Sequence, residues 1–247
     1  MATLTVYSDA ADGEVYWHDA TYSNARSGSG TSQVLDGTNN FSPGQFESGG
    51  EFWCGQAFVS FDTSPLGAGA TVSGAVLSLY DNSDFVADNA FTMEARLQDW
   101  GTSVADSDFV AGGSLSGLTL LGSKTSASRS AAAYNDFSDT AMAANVNKTG
   151  STRMIVCSSR QTGNNAPSSG QFEYWSFFSA GQAGTTNDPK LVITYTLPGQ
   201  PTSKRFGGVP FMGAHGSGLQ APVRQWIRRA SGLLTPQFAT TQIWRPV

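Results

Sequence analysis

Residues 51–61, Glu51-Phe-Trp-Cys-Gly-Gln-Ala-Phe-Val-Ser-Phe61, constrain this chain more than any other segment. In an extended strand successive side chains point to opposite faces, so Phe52 and Cys54 share one face while Trp53, Gly55 and Ala57 share the other. Phe58 and Val59 keep both faces apolar further along. Such a strand needs cover on two sides, which places it inside a packed sandwich. The cleanest alternation lies at residues 91–97, where Phe91, Met93, Ala95 and Leu97 oppose Thr92, Glu94 and Arg96 and predict a half-buried strand. Residues 3–7, 14–17, 72–80, 118–121, 154–158, 171–178 and 190–196 read as further strands. Pro65, Gly67 and Gly69 mark a loop, and Asp81-Asn-Ser-Asp84 reads as a turn. Residues 23–50 read as a long loop with one short strand at Val34 and Leu35, and residues 130–145 hold alanines enough for one helical turn. Only 13% of residues are charged and 28 are Gly, a poor composition for long helices. The prediction is an all-β protein, an antiparallel jelly-roll β-sandwich.

Charge divides the chain in two. Residues 1–197 carry eight Lys/Arg against 19 Asp/Glu, a net charge of -11. Residues 198–247 carry six Lys/Arg and no acid, a net charge of +6. The punctuation Pro198-Gly-Gln-Pro201 falls at the change of sign, which predicts a β domain over 1–197 and a basic, Gly/Pro-rich tail over 198–247. Within the tail, Val223, Trp226, Ile227 and Ala230 recur at helical spacing, with Pro222 at the start and Gly232 at the end, so a short helix is expected over 222–231. The opening residues show no basic-then-apolar leader and no apolar run approaches membrane-spanning length, which predicts synthesis in a cytosol and no membrane partner. Cys54 and Cys157 sit in strand-like runs and are expected to be buried, reduced thiols.

Two segments carry a resemblance. Gln56-Ala-Phe-Val-Ser-Phe-Asp62 leads through a loop to Ala70-Thr-Val-Ser-Gly-Ala-Val-Leu-Ser-Leu-Tyr80, and the body closes on Asp188-Pro-Lys-Leu-Val-Ile-Thr-Tyr195. The chain resembles the DNRLRE-type jelly-roll domains over roughly residues 5–196. The resemblance implies a jelly roll of the kind found in secreted bacterial surface proteins and in virion proteins of tailed bacteriophages. The tail run Lys204-Arg-Phe-Gly-Gly-Val-Pro-Phe-Met is similar to C-terminal segments of phage structural proteins.

Catalytic motifs are sparse. His18 and His215 are the two histidines, and neither sits in a hydrolase or P-loop pattern. His18 reads as a strand-edge residue and His215 as a loop residue. Glu94 and Asp99 flank Trp100 and could line a sugar cleft, but Glu94 is expected to point outward and Asp99 to sit in the next loop. Asp9, Asp12 and Glu14 gather oxygen ligands in one turn, so a structural calcium ion is the one cofactor candidate. Trp17, Trp53, Trp100 and Trp175 could stack on sugars, with core packing the expected role for most.

The expected partner-binding residues lie in the tail: Arg205, Phe206, Phe211, Arg224, Trp226, Arg228, Arg229, Trp244 and Arg245. Large aromatics and Arg are the residue types that anchor protein interfaces. Six positive charges over the tail are too sparse and too broken by Gly and Pro for a nucleic-acid stripe. The expectation is a non-enzymatic structural protein of a tailed-phage virion, made in the host cytoplasm. Within the virion, a capsid decoration protein or head fibre docked on the major capsid protein comes first, and a tail or neck component next. A homo-oligomer, a trimer on local threefold axes, is the expected assembly. The alternative is a carbohydrate-binding module for host-surface glycans.

Overall fold

A computed structural model describes residues 1–181 and 183–198. In chain order its strands are β1 (Ala2–Tyr7), β2 (Gly13–Asp19), β3 (Thr31–Asp36), β4 (Asn40–Phe41), β5 (Gly44–Ser48), β6 (Glu51–Asp62), β7 (Thr71–Ala87), β8 (Thr92–Leu97), β9 (Leu120–Thr125), β10 (Tyr134–Phe137), β11 (Ser151–Ser158), β12 (Phe172–Phe178) and β13 (Lys190–Thr196). Four short helices connect them: α1 (Tyr22–Ser27), α2 (Gly112–Leu115), α3 (Thr140–Ala144) and α4 (Ser159–Thr162).

All strand pairs are antiparallel, and they form two layers. One layer runs β1, β13, the first half of β7, then β10. The other runs β3, β2, β6, β11, β8, β9. β7 is long enough to serve a second partner: its later residues pair with β12, which also pairs with β4 and β5, and β5 returns to β6.

The two-faced pattern of residues 51–61 now has its cause. Ala57, Val59 and Phe61 of β6 join Leu77, Leu79, Leu191 and Ile193 of the opposite layer in the main core. Phe58, one residue out of phase, points the other way and packs with Val15, Ile155, Cys157, Trp100, Val104 and Leu115 in a second core. Trp100, Val104 and Leu115 come from the connection between β8 and β9, which folds back over the outer face of the sheet. β8 keeps the alternation expected of residues 91–97, with Met93 and Ala95 buried and Thr92 and Glu94 partly exposed, except at Arg96, which is 7% exposed and bonded to Glu94 and to the Leu118 carbonyl in that connection.

Three expectations need correction. Residues 23–50 are not a long loop but hold α1, β3, β4 and β5. The segment 81–84 does not reverse the chain. Asp81 Oδ1 accepts from Ser83 N–H and Asn82 Oδ1 from Asp84 N–H, while Ser83 takes φ 74°. This is turn chemistry spent on an irregularity inside β7, which continues to Ala87. His18 is not at an edge, because β2 lies between β3 and β6. Cys54 and Cys157 are buried and free, as expected.

The thirteen strands described pair with one another and enclose the core from residues before Leu197. A chain ending at Leu197 is therefore expected to fold alone, to melt cooperatively and to stay soluble on its charge of -11. Circular dichroism melting checks this, and a truncated chain that aggregates or melts without a transition contradicts the boundary.

Candidate functional site

The nine tail residues expected to bind a partner (Arg205, Phe206, Phe211, Arg224, Trp226, Arg228, Arg229, Trp244 and Arg245) and the helix expected over 222–231 lie outside the described residues. Within the body, the carboxylates considered for catalysis have structural partners. Glu94 binds the Arg96 guanidinium at 2.9 Å and accepts from Thr162 Oγ1. Asp99 is largely exposed and pairs with Arg153 at 2.7 Å. Asp9, Asp12 and Glu14 diverge: Asp9 accepts from Ala11 N–H, Asp12 from Ser60 N–H, and Glu14 from Ser42 N–H. Among the described residues no three His, Cys, Asp or Glu side chains converge as a metal site.

Glu14 is nonetheless unusual. It is 1% exposed, and burial pushes its carboxyl up to about 8, against the opposing pull of Ser42 N–H and Tyr16. The folded state then holds a proton that the unfolded chain releases near pH 4.5. The stability this group permits is full below that value and is lost as pH rises towards 8. Asp12 and Asp188 are pushed up in the same sense by burial. Glu14→Gln is expected to flatten the decline of melting temperature between pH 5 and pH 9, leaving the variant more stable than the parent at the alkaline end. Parallel profiles for the two proteins would rule out this role for Glu14.

The four tryptophans separate into two pairs. Trp175 and Trp100 are buried, as expected for core residues. Trp17 and Trp53 are half-buried, and each borders a recess or an aromatic row. Trp17 lines a recess of about 370 Å³ with Phe109, Gly28, Ser27, Ser107 and Asp106. Gly28 leaves this floor open: a Cβ there would stand 3.2 Å from the Phe109 ring, on a backbone with φ +73°.

Trp53 belongs to an aromatic array set across four strands. It spans β2, β6, β5 and β12 in two adjacent rungs set by strand register. The first rung is His18, Trp53, Phe46 and Phe172. His18 stacks on Trp53 at 4.1 Å, Trp53 on Phe46 at 5.5 Å, and Phe46 on Phe172 at 5.4 Å. His18 Nδ1 also meets Glu51 Oε2 at 2.8 Å. The second rung is Tyr16, Gly55, Gly44 and Tyr174. Its two glycines are required. A Cβ on Gly55 would lie 2.4 Å from the Tyr16 ring, and one on Gly44 would lie 2.4 Å from the Glu173 carbonyl oxygen. The floor between the tyrosines is therefore bare backbone, over which Tyr16 leans to donate its hydroxyl to the Ser42 carbonyl. Tyr174 donates to Asp84 Oδ1 at 2.8 Å. Tyr16, Ser42, Phe46, Asp84, Phe172 and Tyr174 enclose a recess of about 240 Å³.

Sequence reasoning singled out Trp53 and noted Gly55 on its face, but not Tyr16, Phe46, Phe172 or Tyr174. The available signal was a glycine in each of two strands, which marks a place where something approaches the backbone closely. No protein-family model matches the chain, and no curated protein is similar to it.

Proposed function

We propose that this chain is a non-enzymatic structural protein of a tailed-phage virion, with a capsid decoration protein or head fibre first and a tail or neck component next. The body is the displayed part, and the tail docks on the major capsid protein or a neighbouring copy. The observation that carries this reading is the partition of charge. An acidic sandwich that completes its own core is followed by a segment of opposite sign, rich in the residues that anchor interfaces. The resemblance to DNRLRE-type domains points the same way. Glu94 and Asp99 support a non-catalytic body, since both are engaged by arginines.

The experiment is an incubation of the purified protein with polysaccharide of the host capsule and lipopolysaccharide. No release of reducing ends is expected. Turnover that disappears in Glu94→Gln or Asp99→Asn would overturn the non-enzymatic reading.

A second reading, a carbohydrate-binding module, is favoured by one observation: the recess at Trp17 combines two aromatic rings with the Asp106 carboxylate and the Ser27 and Ser107 hydroxyls. On that reading, Trp17→Ala removes retention on host-surface glycan and leaves particle attachment unchanged.

A further inference from the structure

The recess between Tyr16 and Tyr174 is lined unlike a sugar platform. A sugar stacks on one open ring face and needs free hydrogen-bonding groups beside it. Here the rings stand at different inclinations: Phe46 and Phe172 are nearly parallel at 15°, whereas Tyr16 and Tyr174 are turned 64° and 68° from Phe46. Both tyrosine hydroxyls are committed as donors, to Ser42 and Asp84. What the recess leaves uncommitted is charge. Asp84 is exposed at its rim and makes no ion pair with any described residue. The hydrogen bond from Tyr174 to this carboxylate also enriches the electron density of that ring.

Phe46 has a stacked ring on each side, Trp53 and Phe172, so it shapes the recess as a wall; the attraction for a cation comes from the two tyrosine rings turned across the row and from the Asp84 carboxylate. A planar guanidinium prefers one flat ring to lie on, whereas a rounded alkylammonium group suits walls of differing inclination. At about 240 Å³ the recess lies below the roughly 300–1,000 Å³ of drug-sized sites, so it suits one compact group. We propose that Tyr16, Phe46, Phe172, Tyr174 and Asp84 form a binding site for a methylated ammonium group. The group can arrive as a choline-type head group or as a methylated lysine side chain. This site stands or falls independently of the virion role.

The test uses the full chain at constant ionic strength, with isothermal titration calorimetry as the readout. Choline and an Nε-trimethyllysine amide are titrated beside 3,3-dimethylbutan-1-ol, the neutral carbon analogue of choline. Both cations are expected to bind saturably, and the neutral analogue at least about tenfold more weakly, because shape alone is kept and charge is lost. Asp84→Asn is expected to weaken both cations about five- to tenfold with an unchanged melting temperature, and Asp84→Glu to restore most of the affinity. Choline binding without the lysine amide assigns the site to a free head group, and tighter binding of the amide assigns it to a protein side chain. Equal binding of the neutral analogue, no saturable change with either cation, or displacement of choline by a neutral disaccharide would overturn the proposal.

Discussion

Asp81→Ala should cost the body about 3–5 kcal/mol, the range for removing one partner of a buried ion pair. Asp81 is fully buried in β7 and receives five hydrogen bonds. Oδ2 accepts from Arg129 Nε at 2.5 Å and from the Trp175 indole at 2.6 Å. Oδ1 accepts from the Arg129 guanidinium at 2.8 Å, Ser83 N–H at 2.7 Å and Ala132 N–H at 3.2 Å. The carboxylate thus ties β7 to the turn before β10 and to the largest side chain of the core. Alanine leaves the Trp175 N–H without a partner in the core and the Arg129 charge over the Phe85 ring without its counter-ion. For a domain of this size, the loss corresponds to roughly 6–20 °C in melting temperature. Asp81→Asn should fall between the parent and the alanine variant, since its carbonyl can still accept while the charge is gone. Burial alone would raise the pKa of Asp81, but the Arg129, Ser83, Ala132 and Trp175 donors outweigh it and hold it below the ordinary value. Its contribution is therefore present above the unfolded pKa and is lost as pH falls through the lower folded one. An alanine variant melting within 2 °C of the parent, a margin of about 1 kcal/mol or less, would show that the network carries little stability.

Deleting residues 198–247 should abolish incorporation into particles while the body stays folded. The positive charge of the tail, +6, can steer it to an acidic partner surface. Phe206, Phe211, Trp226 and Trp244 can then fill pockets there, and buried anchors of this type typically cost about 2 kcal/mol or more each when cut to Ala. Trp226→Ala should weaken attachment more than Gln225→Ala, because Trp226 lies on the apolar side of the helix expected from the spacing and Gln225 does not. High salt should slow docking more than it loosens the finished contact, since long-range steering is screened and packing is not. Particle binding by the tail-less protein at normal occupancy would place the attachment surface on the β body instead.

What was legible in the sequence was whatever a single strand states by itself. Residues 190–196 alternate cleanly between punctuated ends, and β13 has those bounds. β6 announces itself because both its faces are apolar. β3 was nearly invisible for the opposite reason: it is an outer strand whose residues are mostly solvent-facing, so no apolar periodicity is imposed on it. At Asp81 the turn chemistry is legible in the sequence and its setting is not. Asx turns form there, inside a strand, and the acid is buried by a tryptophan far along the chain. Of the aromatic array only Trp53 and the glycine beside it on the same face were legible. Tyr16, Phe46, Trp53, Phe172 and Tyr174 come from four strands, and only register brings them side by side.

The central proposal is that this chain is a built-in part of a phage particle, and quantitative mass spectrometry of virions purified from a lysate that contains the chain tests it most directly. The account predicts peptides from both the body and the tail, at a copy number proportional to a repeated virion component and retained through density-gradient purification. A protein found only in the lysate, or lost from the particles at the first gradient, would contradict it.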